Sequence, residues 1–316
     1  MKIVGTGSAI PKFVLTNDMM AELVDTSDEW IVSRTGIRER HVATEESLRE
    51  LAGQAAKNAI ENSGLDISQI GTVICATCSY DMVSPSLACM LSKDLGMEER
   101  TLTFDLNSAC SGFAYALYVA SRLCEDGKYV LVMAGERLSR FIDYTERSTC
   151  VLLGDGAGAV VVGKEGEPFT FLPGARGDDK LIHIPAPKNG NCPFYEEEDR
   201  HPYFHMEGQE VFKFATRVVP QSIKQVLSER GWELSEVDWF LFHQANYRII
   251  EKAARDMGVP LEKFFINVDK YGNTSAASLA IALDELNKSG GLKRGQKVAI
   301  AGFGGGLTYG AGTLVW

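Results

Sequence analysis

The chain has 316 residues, of which 45% are hydrophobic, with a mean hydropathy of -0.07 and a formal net charge of -10. These are the values of a water-soluble, enzyme-sized protein of about two domains, and the acidic balance argues against general binding to nucleic acid or anionic membranes. No run of about 18 apolar residues is present to span a membrane, and the opening MKIVGTGSAIP is broken by Gly5, Gly7 and Pro11 where a secretory segment would be unbroken.

Seven cysteines make an odd count, and Cys75, Cys89, Cys124 and Cys150 lie in apolar stretches where a free thiol behaves as a small hydrophobe. A reducing cytoplasm is the expected setting. Residues 48–64 (LRELAGQAAKNAIENSG) read as a helix and 72–77 (TVICAT) as a buried strand. Cys75 and Cys78 form a CxxC there, but redox pairs open a helix and a zinc site needs four ligands, so no metal is implied.

The next strand-like run, TLTFDL at 101–106, gives way to the helix-like FAYALYVASRL at 113–123, and Cys110 sits between them in NSACSGF. At a helix N-terminus, backbone N–H groups and the positive dipole end favour thiolate over thiol. Cys110 is therefore either a small buried residue at a helix start or a nucleophile whose pKa is drawn down from about 8.5. A strand follows at 129–135. In CVLLGDGAGAVVVG (150–163), Gly154, Gly156 and Gly158 separate two strand-like runs, which predicts a hairpin with positive-φ turn residues. The spacing is not GxGxxG and no helix follows, so it is no dinucleotide fingerprint. Residues 164–202, rich in Pro, Gly and charge and including EEED at 196–199, read as a surface excursion, with a boundary near 166.

Beyond it come a helix at 210–231, a strand at 239–243 (WFLFH), a strand at 264–269 (FFINVD) and a strand at 297–302 (KVAIAG). His243 ends an apolar run, either as a core histidine or as a site residue at the sheet edge where α/β proteins place ligands. Asn273, in GNTSAAS before an Ala-rich helix, is a turn or cap residue or a partner for a nucleophile. Arg248, Lys252 and Arg255 share one helical face, as do Lys213 and Arg217, giving solvated faces or a docking patch for an acidic partner.

The halves repeat. GLDISQI from Gly64 matches GWELSEV from Gly231, SACS at 108–111 matches SAAS at 275–278, and MAG at 133–135 matches IAG at 300–302, each at an offset of 167 residues (231 − 64). Strand and helix alternate in both copies, predicting an α/β protein with helices packed on mainly parallel sheet. The division falls at 1–166, carrying Cys110, and 167–316, carrying His243 and Asn273.

NSACSGFAYAL, HQANYRII, YGNTSAASLAIALDEL, DEWIVSRTGIRER, LLGDGAGAVVV and GFGGGLTYG together resemble β-ketoacyl-acyl-carrier-protein synthase III, a thiolase-like condensing enzyme, along essentially the whole chain. The resemblance implies a five-layered αβαβα fold, usually a homodimer, that initiates fatty acid synthesis without a cofactor from two substrates, acyl-CoA and malonyl-acyl-carrier protein. It implies that Cys110 takes the acyl group, that His243 and Asn273 stabilise the malonyl enolate, and that the N–H groups of Cys110 and Gly305 form an oxyanion hole. Trp30 and Arg147 fall on adenine-stacking positions, and Thr26, Arg34, Asn246 and Arg248 on other CoA positions. Lys213, Arg248, Lys252 and Arg255 would meet the acidic carrier protein. The family often has Phe where Ser84 stands, so a wider acyl pocket is expected. A condensing enzyme of polyketide or other secondary metabolism is the alternative, whereas a degradative thiolase would need a second cysteine that GFGGGLTYG lacks.

Overall fold

The computed structural model describes residues 1–186, 193–194 and 202–316. The acidic run at 196–199 lies outside them. In the first half, β1 (Lys2–Ala9) precedes α1 (Asp28–Thr35) and α2 (Leu48–Ser63). Then come β2 (Ile70–Ala76), α3 (Leu87–Asp94), β3 (Leu102–Leu106), α4 (Gly112–Leu123), β4 (Tyr129–Glu136) and β5 (Gly156–Gly163). The second half supplies β6 (Thr170–Asp178), α5 (Gly208–Arg230), β7 (Trp239–Phe242), α6 (Tyr247–Met257), α7 (Ala277–Lys288), β8 (Lys297–Gly304) and β9 (Gly306–Val315).

The expected α/β layering is found, and the repeat is visible in the strand order. One sheet runs β1-β5-β4-β2-β3 and the other β7-β8-β9-β6. In each, one terminal strand of the half pairs antiparallel with the last strand, which pairs antiparallel with a strand that is parallel to the next. The sheets are thus mixed where mainly parallel ones were expected. Gly64 and Gly231 both close their helices in the left-handed conformation, at φ 69 and 72, as the repeat requires.

Three sequence expectations are corrected. FFINVD is not a strand; the second sheet's fifth position is a single parallel bridge between Phe240 and Phe264. The supposed surface excursion contains β6, paired to β9 with Phe171 buried. The glycines of GDGAGA form no hairpin: the chain reaches them from a short turn of helix at Arg147–Cys150, and Gly156 and Gly158 lie within β5, without positive φ.

Packing explains them instead. Helices α4 and α7 share the central layer between the sheets, presenting Ala114, Ala116, Ala120, Ala277 and Ala280 to one apolar cluster that takes strands from both halves. Helix α2 covers the outer face of the first sheet and α5 with α6 the outer face of the second, each over its own apolar cluster. A Cβ on Gly158 would lie 2.6 Å from Ala280 Cβ and 2.8 Å from the Ile281 nitrogen, so β5 meets α7 backbone to backbone. The halves are thereby interlocked, and side chains at their junction face one another across a fixed gap. Gly158→Ala is expected to lower the unfolding free energy by about 1–3 kcal/mol, read from urea denaturation; an unchanged midpoint would show that α7 can withdraw freely.

Candidate active site

Cys110 lies where β3 turns into α4. Ala109 adopts φ 44, and Ala109–Ser111 make one 3-10 turn ahead of the helix. In the second copy the left-handed residue is Ser275, at φ 51. By backbone conformation Cys110 therefore matches Ala276, one residue from the Ala277 given by the sequence repeat. The turn is pinned to the opposite half: Ser111 Oγ donates to Ser108 O at 2.8 Å and lies 2.8 Å from Thr308 Oγ1, which donates to Gly305 O at 3.0 Å. A Cβ on Gly304 would stand 2.8 Å from both the Cβ and the nitrogen of Cys110, so only glycine lets β8 lie against the nucleophile turn.

His243 follows β7 and is 2% exposed. Its Nδ1 lies 2.7 Å from Ser278 Oγ, which accepts from the Gln244 N–H at 3.2 Å, and Phe303 meets the ring edge-on at 5.1 Å. Accepting the Gln244 N–H leaves the Ser278 proton available to Nδ1, and in that tautomer the Nε2–H faces the cavity. Burial holds the imidazole down to about 3, so it is neutral and acts as a hydrogen-bond donor.

Asn273 is fixed by the motif first taken for a hairpin. Its N–H donates to Leu152 O at 2.9 Å, and its carbonyl accepts from Gly154 at 3.0 Å. Arg40, fully buried, donates to Val151 O at 2.7 Å and holds that loop in place. Asn273 Oδ1 accepts the Ser275 N–H at 2.8 Å, which turns the amide nitrogen away as the free donor.

Cys110, His243, Asn273 and Gly305 line one cavity of about 660 Å³, with Cys78, Ser275, Phe303 and Gly304 also in its wall. Of the two readings of the resting thiol, burial favours the protonated one. Burial pushes the Cys110 thiol up to about 11, opposed by Ser275 and aided by the neighbouring Glu136.

The remaining residues lie outside that cavity. Arg147 stacks on Trp30 at 4.9 Å and Arg34 reaches the same ring at 6.0 Å. Thr26 Oγ1 is buried without a hydrogen-bond partner, and Asn246 caps α6 while donating to Arg34 O at 3.1 Å. Lys213 pairs with Glu210 and Lys252 with Asp256, both at 2.7 Å, while Arg248 and Arg255 form no ion pair among the described residues. Ser84 is exposed and does not line its own chain's cavity; Met82 and Val83 do. Sequence reasoning missed Ser278, Ser275 and Glu136, although SAAS had marked two of them as part of the repeat. No cluster of three or more metal-ligating side chains occurs among the described residues.

Two duplicated halves that bring a cysteine at a helix start together with a neutral histidine and an oriented asparagine define a condensing enzyme of the thiolase-like class. The comparisons narrow the class. Family models described as 3-oxoacyl-[acyl-carrier-protein] synthase III and its C-terminal region match residues 104–177 and 227–316. A β-ketoacyl-[acyl-carrier-protein] synthase III of Clostridium acetobutylicum is 45% identical, covering 100% of this chain and 98% of the relative. The crystal structure of 3-oxoacyl-[acyl-carrier-protein] synthase III from Aquifex aeolicus has a TM-score of 0.91 at 42% identity, covering 100% and 99%. The priming β-ketosynthase of the R1128 polyketide pathway also gives 0.91, at 33% identity, covering 99% and 95%. The chain belongs to the β-ketoacyl-acyl-carrier-protein synthase III family.

The His243 environment sets a pH dependence. Its folded pKa is about 3 against an ordinary value of 6.5, so the unfolded chain binds the extra proton and stability is lost as pH falls below about 6.5. Urea titrations from pH 7 to 4 should show a shallower decline for His243→Asn than for the wild type; parallel declines would overturn the buried neutral imidazole.

Proposed function

We propose that the chain catalyses the decarboxylating Claisen condensation of an acyl-CoA primer with malonyl-acyl-carrier protein, giving a 3-oxoacyl-acyl-carrier protein and starting a fatty acid. The observation that carries the residue roles is that Cys110, His243 and Asn273, from three separate elements, line one cavity. Cys110 Sγ attacks the primer thioester, CoA leaves, and the N–H groups of Cys110 and Gly305 hold the oxyanion. A thioester keeps the acyl carbon activated, so a hard condensation becomes two easier steps. The His243 Nε2 proton and the Asn273 amide then donate to the malonyl thioester carbonyl. As CO₂ departs, the developing enolate is stabilised by two neutral donors, neither acidic enough to quench the carbon nucleophile before it attacks acyl-Cys110.

Trp30 with Arg147 and Arg34 offers a stacking platform for the CoA adenine, and Thr26 an unused hydroxyl beside it. Asn246, which follows the cavity-lining Ala245 and donates to Arg34 O, and Arg248 at the start of α6 would hold further parts of the CoA. The exposed cations Arg248 and Arg255, with Lys213 and Lys252, form the patch for the acidic carrier protein, resolving how a chain of net charge -10 attracts one. The strand β3 ends its sheet with Leu102 50% exposed, which supports pairing of two copies along that edge. Ser84 would then meet the acyl pocket of the second copy and leave room for primers larger than acetyl. The division at 166/167 separates a nucleophile-bearing half from a donor-bearing half. A cytoplasmic site and a cofactor-free reaction accord with free thiols throughout the described residues and with chemistry complete in these side chains. Among the described residues no helix is long and apolar enough to cross a membrane.

Fatty acid initiation is favoured over polyketide priming by the higher identity of the fatty acid relatives, 45% against 33%. Mass spectrometry after incubation with acetyl-CoA should show one acyl group on the wild type and none on Cys110→Ala. His243→Ala and Asn273→Ala should still be acylated but lose about 10²–10³-fold in malonyl decarboxylation; undiminished decarboxylation in both would refute the assignment. A primer panel tests Ser84: branched or medium-chain acyl-CoA should be accepted, and Ser84→Phe should narrow the range toward acetyl.

A further inference from the structure

Glu136, the last residue of β4, is fully buried and unused by the chemistry above. Its carboxylate is surrounded by donors. Ser79 Oγ donates to Oε2, the Cys78 N–H reaches Oε2 at 3.2 Å, Thr77 Oγ1 reaches it at 3.4 Å, and Ser275 Oγ donates to Oε1 at 3.2 Å. Ser79 in turn accepts the Arg137 N–H at 2.8 Å, which commits its proton to Glu136. Among the described residues no ion pair or side-chain hydrogen bond from a cation reaches the group; Cys75 from β2, Cys78 from the loop beyond and Cys110 from the turn before α4 act on it electrostatically or are acted on by it, and Cys78 Sγ lies 3.5 and 3.6 Å from its two oxygens. An ionised carboxylate buried without a cation is costly, and each surrounding donor offsets only part of that cost.

Ser275, whose hydroxyl donates to Glu136, lines the same cavity wall as Cys110, and both Ser275 and Glu136 act on the Cys110 thiol. We propose that Glu136 is the proton acceptor that activates Cys110, acting through Ser275 as a relay. The inference rests on Cys110 being the acylated residue. The Cys110 S–H proton passes to Ser275 Oγ while the Ser275 proton passes to Glu136 Oε1. The sulfur electron pair forms the bond to the acyl carbon, and the bond from that carbon to the CoA sulfur breaks. The departing CoA thiolate takes the proton back through Ser275, so CoA leaves as the free thiol and Glu136 is again a carboxylate.

The transfer from a thiol at about 11 to a carboxyl at about 7 runs uphill by itself and is completed as the sulfur bonds to the acyl carbon. Left ionised, Glu136 would repel a thiolate and hold Cys110 protonated; having taken the proton it is neutral, and one anion remains beside the helix terminus. Burial raises the carboxyl to about 7 while the thiol stands at about 11, so the acceptor is poised near neutral pH and the thiol alone is not. Ser275 is suited to the relay because its backbone is anchored to Asn273, its hydroxyl already reaches Glu136, and it shares the cavity wall with Cys110.

The test is the single-turnover acylation of the protein by acetyl-CoA, followed by mass spectrometry as a function of pH. Wild-type rates should rise with pH and level off above about 7. Glu136→Gln should acylate about 10²-fold more slowly at pH 7, and its rate should go on climbing toward the thiol's own range near about 11. Ser275→Ala should show the same displaced profile, and the double variant should be no slower than either single one. Glu136→Asp should recover part of the lost rate and the plateau near neutrality. Should Glu136→Gln not fold, Ser275→Ala and Glu136→Asp carry the same comparison. Profiles of Ser275→Ala and Glu136→Gln that match the wild type overturn the relay while leaving Cys110 as the acylated residue. Acylation that persists in Cys110→Ala instead overturns the assignment of the nucleophile itself.

Discussion

The site depends on one close approach. Strand β8 of the second half runs against the turn that carries Cys110 in the first, and Gly304 leaves no room for even a methyl group between them. That contact places the nucleophile beside the glycine loop that supplies Gly305. It also sets the gap across which His243 and Asn273 face the sulfur. Ser111 and Thr308 lock the same junction with hydrogen bonds between residues 197 apart in the chain. Because protein interiors are close-packed, a shift at this seam would be felt throughout the cavity.

Burial then decides the protonation state of each group. Desolvation raises the thiol, raises the Glu136 carboxyl and lowers the imidazole, so in the resting site Cys110 is protonated and His243 is uncharged. A neutral imidazole and a carboxamide can polarise a thioester carbonyl without offering an acidic proton to the carbanion. The same dry surroundings strengthen their hydrogen bonds as charge develops. What burial makes harder is forming the thiolate, which is the step a nearby carboxylate and hydroxyl are placed to ease.

Much of this was legible before the structure. The offset of 167 residues exposed the duplication, and divergence between the copies singled out Cys110 and His243. Periodicity located α2, α4, β2 and β4, because long apolar runs with consistent spacing have one plausible burial. FFINVD failed because strand propensity states only what a segment tolerates; there the chain leaves the sheet after a single bridge at Phe264. GDGAGA failed because its glycines answer to neighbours distant in sequence, with Gly154 set against Tyr271 and Gly158 against α7, and no local pattern records such contacts. Ser275 and Ser278 carried no signal as serines, since hydroxyls in a helix-start motif read as caps.

By itself the sequence determined the layered α/β architecture from two copies, the identity of the reactive side chains and the family they mark, because hydrophobic period and residue type are local properties of the chain. Only the tertiary structure decided that those side chains share one cavity, which nitrogen of His243 and which end of Asn273 face it, and that the thiol beside them is protonated at rest. Those outcomes follow from desolvation and from contacts between residues far apart in the chain, and neither exists until the two halves close on each other.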